Sequence, residues 1–275
     1  MRLWLHVSYI RSIFAERTKA IQVFRNGQED MNDMVMWNPW HGCHKISEGC
    51  RHCYVYREDA AFRTPVASSE VRKTASFALP LRKDRKKEWK FKSGTLFGLC
   101  FTSDLLIEEA DEWRKEIWEI IRQRSDCTFL FFTKRIDRLA VCLPPDWGDG
   151  YDNVVIGCTA ENQKMADHRL PVFISLPIRH RLIIVAPMIE KIDLTPYLDP
   201  AFIKEVSAGG ESGKYARTLD FDWIKDLHRQ CLDHGIPFTF HQTGSYLKKD
   251  NRIYHIPREH QHSQARKAIP RDTQI

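Results

Sequence analysis

The chain has 275 residues, 43% of them hydrophobic and 28% charged, with a net charge of +6. No apolar run approaches the roughly 20 residues needed to span a bilayer, and no solenoid-period repeat or low-complexity segment is present, so a membrane-spanning helix and a repeat architecture are not expected. Arg2, His6 and Arg11 interrupt the mildly apolar start, a poor export signal, so the expected compartment is cytoplasmic and the eight cysteines are expected to be thiols rather than disulfides.

Residues 1–33 fall outside any strand–helix pattern and read as an N-terminal extension, or as lying before a true start near Met31, Met34 or Met36. The first strand is Met34–Trp37. It runs into Asn38-Pro39-Trp40-His41-Gly42-Cys43, and Cys50 and Cys53 follow, giving C-x6-C-x2-C. Tyr54–Phe62 is a helix candidate. The stretch Arg82–Lys92 is the densest basic segment. It is read either as a solvated face or as a phosphate-contacting patch, with Trp89 and Phe91 interleaved.

Six more short apolar runs follow: Leu96–Thr102, Thr128–Thr133, Asn153–Cys158, Arg181–Ala186, Lys204–Ala208 and Pro237–Phe240. Each has the continuous apolar character of a strand buried on both faces. Leu106, Ala110, Trp113, Ile117, Ile120 and Ile121 keep helical spacing and predict a helix over 105–124. Ile224, Leu227 and Cys231 predict another over 220–234, with Asp220 as N-cap and Gly235 as stop. Glu161–Leu170 is a weaker helix. Alternating strands and helices mean an α/β fold with a parallel sheet. The expected architecture is a single-domain (β/α) barrel over 34–248, complete or partial, with a doubly wound open sheet as competitor. The basic tail 249–275 is expected to be loosely ordered.

Parallel α/β folds carry their chemistry at the carboxyl ends of the strands. Here those ends hold the cysteine loop, Ser103-Asp104, Thr133-Lys134-Arg135, Glu161-Asn162, Pro187-Met188, Gly209-Gly210-Glu211-Ser212-Gly213 and His241-Gln242. Glycines let backbone N–H groups approach a ligand, and the carboxylate after them can hold an amine or a ribose hydroxyl. Lys134-Arg135 suits a ligand carboxylate or phosphate, or a structural ion pair with Glu161, Glu190 or Glu211. Three clustered thiols without a fourth suit a metal centre with an open position. Two fillings are open: a [4Fe-4S] cluster on Cys43, Cys50 and Cys53, or zinc completed by His41, His44 or His52.

Cysteines directly after the first strand of a (β/α) barrel resemble radical S-adenosylmethionine enzymes, whose common spacing is C-x3-C-x2-C. The chain is more closely similar to a phage-associated three-Cys-motif family of unknown function grouped with those barrels. The shared residues are Trp37-Asn38-Pro39, Gly42-Cys43, Gly49-Cys50 with Cys53-Tyr54, Thr133-Lys134-Arg135, Glu161-Asn162-Gln163 with Ala166-Asp167 and Arg169, and Gly209–Gly213 with Arg217. Ala186-Pro187-Met188 stands where that family usually has Glu-Pro-Leu, and His241-Gln242 where it has Lys-Gln.

The resemblance implies a [4Fe-4S] cluster whose free iron takes S-adenosylmethionine. Reductive cleavage then starts radical chemistry on an unknown substrate. It implies Ser103 and Asp104 near the methionine amine, and Gly209, Gly210, Glu211 and Ser212 near the ribose or carboxylate. Lys134, Glu161 and Asn162 serve cofactor or substrate. A nucleotide or nucleic-acid substrate and an external electron donor are the expected partners. The alternative from another class is a zinc-stapled, non-enzymatic nucleic-acid-binding or phage accessory protein.

Overall fold

A computed structural model of the chain describes residues 34–62 and 66–270. The N-terminal extension expected over 1–33 lies outside the described residues. The strands in chain order are β1 (Val35–Trp37), β2 (Trp40–His41), β3 (Arg72–Lys73), β4 (Leu96–Leu99), β5 (Thr128–Thr133), β6 (Val154–Thr159), β7 (His180–Val185), β8 (Ile203–Gly209), β9 (Leu219–Asp220), β10 (Phe238–Gln242), β11 (Tyr246–Lys249) and β12 (Arg252–His255). The α-helices are α1 (Tyr54–Ala61), α2 (Asp111–Gln123), α3 (Leu139–Cys142), α4 (Gln163–Ser175), α5 (Phe221–Asp233) and α6 (Arg258–Ala268).

The seven strands expected from the sequence form one parallel sheet in the order β1-β4-β5-β6-β7-β8-β10. Its edges, β1 and β10, do not pair with each other. The sheet is therefore a half-barrel in a single mixed α/β domain, the partial form of the expected barrel.

Side chains alternate across each strand. Phe129, Phe131, Ile156, Cys158, Ile183, Val185, Val206, Phe238 and Phe240 point into the large core shared with the helices. Leu96, Leu130, Val155, Leu182 and Ile184 make a thinner inner layer with Met34, Phe132 and Ala186. At Gly157 a Cβ would come within 2.4 Å of the Phe132 ring and 2.8 Å of Ile184, so the inner row is packed tightly enough to require glycine there. The five cysteines outside the loop, Cys100, Cys127, Cys142, Cys158 and Cys231, are all buried, as small apolar residues should be.

Three expectations are corrected. The helix predicted over 105–124 is α-helical only from Asp111, after a 3-10 turn at Glu108–Ala110. Leu105, Leu106 and Ile107 are fully buried in a non-helical turn, held because Asp104 accepts from Leu106 N at 3.0 Å and Arg114 donates to the carbonyls of Leu105 and Ile107 at 2.7 and 2.6 Å. Tertiary capture overrides helical spacing in that stretch. The weak helix at Glu161–Leu170 starts two residues later and runs on through Pro171 to Ser175. The tail expected to be loose forms β12 and α6 over much of its length. In α6, Gln261 and Ala265 are buried, and Gln261 bonds Ser245 and the Ile256 carbonyl. Among the described residues no helix is long and apolar enough to cross a membrane.

Candidate functional site

β1 delivers the chain to the cysteine loop, and every turn of that loop is pinned. Asn38 accepts from Thr102 N at 3.0 Å, and the Trp40 indole donates to the Asp104 carbonyl at 3.3 Å. Gly42 has φ 98° and lies so close to the Glu70 carbonyl that a Cβ would sit 2.3 Å from its oxygen. Only glycine fits both constraints. Cys43 N then donates to the Ser68 carbonyl at 2.9 Å, and the Ser103 hydroxyl donates to the Gly42 carbonyl. A 3-10 turn at Glu48–Cys50 carries the second cysteine. Cys53 stands at the N-cap of α1.

Gly49 sits directly on the Glu161 side chain: a Cβ there would meet it at 2.9 Å. Glu161 is completely buried and cannot yield, because its Oε2 takes the Arg169 guanidinium at 2.7 Å. Among the described residues its Oε1 makes no hydrogen bond of ordinary geometry, with Ser47 nearby as a further stabilising contact. Burial raises its pKa, but the Arg169 and Lys134 charges more than offset that, so the carboxyl stays below its ordinary range.

A second clamp runs from the β8 end. Glu211 takes Arg217 on both oxygens, Nη2 to Oε1 at 2.7 Å and Nε to Oε2 at 3.0 Å, and also His52 Nδ1 at 3.0 Å. His52 lies between Cys50 and Cys53, so this carboxylate orients the loop that carries the thiols. Arg57, one turn into α1, donates to the Ser212 carbonyl and lies 3.4 Å from its hydroxyl. Arg135 bridges in the same way: to Asp104 Oδ2 at 3.4 Å, to the His44 carbonyl at 3.0 Å and to Cys43 Sγ at 3.6 Å. The ion pair weighed for Lys134-Arg135 with Glu161, Glu190 or Glu211 is thus made by Arg135 with Asp104 instead.

These elements enclose a cavity of about 310 Å³ at the carboxyl ends of the parallel strands, at the small end of ligand pockets. Its lining includes Cys43, Cys50 and Cys53, with Lys134, Glu211, Ser212 and His241 as polar partners and Tyr54, Phe101 and Phe132 as an apolar wall. Of the residues singled out in the sequence, Ser103, Asp104, Lys134, Gly210, Glu211 and Ser212 line it together with the three cysteines. Glu161, Asn162 and Gly209 are not among the lining residues. Glu161 lies under the cysteine loop. Asn162 is the N-cap of α4, accepting from Met165 N at 2.9 Å. Gly209 packs against the His241 ring.

Most polar groups in the lining are already engaged. Asp104 accepts from Leu106 N, Thr133 Oγ1 and Lys134 N at 3.0, 2.8 and 3.1 Å. The Lys134 ammonium has no hydrogen bond or ion pair among the described residues. Its charge acts on Glu161 and Cys53 through space, without a direct bond to either. Burial pushes the Cys43 thiol up to about 11, against the lowering effect of Arg135, and raises Cys53 as well. His241 is driven down to about 4, by burial first and the His262 charge second, so its imidazole is neutral at pH 7.

Sequence reading passed over Arg57, weighed His52 only as a zinc ligand, and took His241 only as part of a strand-end cluster. His52 is the one with a visible signal, its position inside C-x2-C. The partners of Arg57 and His241 are 155 and 34 residues away.

The histidines weighed as a fourth zinc ligand are each turned to a carboxylate: His41 to Asp59 at 2.9 Å, His44 to Glu109, and His52 to Glu211. Among the described residues no group of three or more His, Cys, Asp or Glu side chains is drawn together around the position of one metal ion.

Fold and site together define a class: a half-barrel α/β protein with a three-thiol cavity at the carboxyl ends of its strands. The chain matches a family described as "Protein of unknown function (DUF5131)" over residues 32–271, and it belongs to that family. Comparison with curated proteins and with solved structures found no match.

Proposed function

We propose that this protein is a radical S-adenosylmethionine-type [4Fe-4S] enzyme. The observation that carries the reading is the opening of three thiols and a lysine that makes no hydrogen bond or ion pair among the described residues into a single cavity at the carboxyl ends of a parallel half-barrel. The donor set suits a cluster better than one zinc ion. A cluster holds its thiolates on different irons, while zinc needs four ligands at 2.0–2.3 Å around one point.

When bound, the cluster and S-adenosylmethionine supply one-electron cleavage of a sulfonium C–S bond. The chain's own residues position and shield that chemistry. Cys43, Cys50 and Cys53 are the ligands. Gly42, Gly49 and the Glu211–His52 contact fix the loop that presents them. Arg135 beside Cys43 offsets thiolate charge. Lys134 pairs with the cofactor carboxylate. Tyr54, Phe101 and Phe132 exclude water from the reacting centre. Neutral His241 offers a hydrogen-bonding nitrogen rather than a charge. The substrate is a nucleotide or nucleic acid, and an external donor supplies the electron.

Cys50→Ser is the direct test of the ligand set. Anaerobically reconstituted with iron and sulfide, it should bind less iron and form no 5′-deoxyadenosine with dithionite and S-adenosylmethionine. Cleavage equal to wild type would exclude Cys50 as a ligand.

A further inference from the structure

The segment Arg82–Lys92 holds seven basic and two acidic residues, a net of +5 where the whole chain carries +6. It is a built hairpin. Lys83 bridges Trp89 antiparallel, Lys90 N donates to the Arg82 carbonyl at 2.9 Å, and Asp84 N donates to the Glu88 carbonyl at 2.9 Å. Asp84 also turns its carboxylate inward, accepting from Lys86 N at 2.8 Å and Glu88 N at 3.1 Å. One of the two acids is thereby spent on the backbone. Trp89 pins the hairpin to the body, with Lys83 Nζ 4.7 Å and the Arg124 guanidinium 5.1 Å from its ring.

None of the seven basic groups makes an ion pair among the described residues, and Arg82 to Lys90 are all exposed. Lys87 holds its place at φ 65°, where glycine or asparagine sits with less strain. Like charges fixed this close repel one another, a cost that a polyanion removes. The hairpin leads into the start of β4 and packs on Arg124 just before β5. It therefore lies at the amino ends of the strands, opposite the thiol cavity, and none of its residues lines that cavity.

We propose that this hairpin is a sequence-independent docking site for the phosphodiester backbone of a nucleic acid, separate from the cavity. A bilayer is a poorer fit, because Trp89, 36% exposed, is the hairpin's single large apolar side chain at the surface and surface-bound membrane elements bury an apolar face. An acidic protein is a poorer fit because protein interfaces centre on buried aromatic or apolar anchors. Phosphates need only the charges.

The test uses the full chain and a fluorescein-labelled 30-nucleotide DNA of mixed sequence, single-stranded and duplex, with anisotropy read over a salt series. Wild-type affinity should fall linearly in log–log form. Arg85→Gln/Lys86→Gln/Lys90→Gln should weaken low-salt binding at least about 10-fold and flatten the slope by about 2, since each phosphate contact accounts for about 0.7–0.9. The three side chains are exposed, so thermal melting should not move. Lysine acetylation with mass spectrometry, which needs no variant, should show Lys86 and Lys90 protected by DNA.

An unchanged slope in the variant overturns the proposal, as does absence of DNA protection. So does loss of binding in Lys249→Gln/Arg252→Gln instead, or binding to phosphatidylserine vesicles with none to DNA. None of these outcomes touches the cluster reading, which is measured without nucleic acid.

Discussion

His241 ends the inner row of β10, its ring against Gly209 and its Nδ1 3.1 Å from the Ser207 hydroxyl. Its folded pKa, about 4, lies below the ordinary 6.5. Between those values the unfolded chain binds a proton that the folded chain refuses. Stability contributed by this site is therefore intact above pH 6.5 and falls as pH drops toward 4, by up to about 1.4 kcal/mol per unit. His180, also lowered by burial, acts in the same direction, so the reading is a difference. In urea unfolding at pH 7, 6 and 5, His241→Gln should lose stability with acid less steeply than wild type. Parallel curves would show that His241 titrates normally. Gly49 sets a steric limit at the same scale. Gly49→Ala places a methyl against Glu161, which Arg169 prevents from moving. Overpacking of this kind costs about 1–3 kcal/mol, and less iron should be retained after reconstitution than by wild type. Equal iron retention would mean that the loop has room to shift.

At the scale of elements, Asn162 separates structure from chemistry. As the N-cap of α4 it satisfies Met165 N, so Asn162→Ala should lower unfolding stability by about 1 kcal/mol and Asn162→Asp by much less. Both variants should leave 5′-deoxyadenosine formation unchanged; lost cleavage in both would return Asn162 to the cofactor site. The seven sheet strands were legible because each is a short, nearly unbroken apolar run between turn residues. α5 was legible because Phe221, Ile224, Leu227 and Cys231 keep one buried stripe. The α6 helix was not. Its buried residues are Gln261 and Ala265, and it is anchored by polar contacts such as His262 Nδ1 to the His241 carbonyl at 2.7 Å. Such contacts leave no apolar period to read. The start of α2 misled for the opposite reason: Leu106 continues the apolar spacing but is held in a turn by Asp104, with Leu105 and Ile107 fixed beside it by Arg114.

For the whole molecule, strand–helix alternation implies parallel pairing but is the same for a closed barrel, a half-barrel and an open sheet. Closure depends on whether β1 meets β10, which no local pattern encodes. The convergence of the cysteine loop with Lys134 and Glu211 was legible only as a list of strand ends. That Glu211 holds His52, and that Arg135 rather than Lys134 is spent on Asp104, required the folded geometry. At this scale we propose that Cys43, Cys50 and Cys53 carry a redox-active cluster that works on S-adenosylmethionine. The most direct measurement is anaerobic reconstitution of the full chain with iron and sulfide, followed by dithionite and S-adenosylmethionine and assay for 5′-deoxyadenosine. The reconstituted protein should be brown, bleach on reduction and release 5′-deoxyadenosine. A colourless protein that retains one zinc per chain and releases none would contradict the proposal.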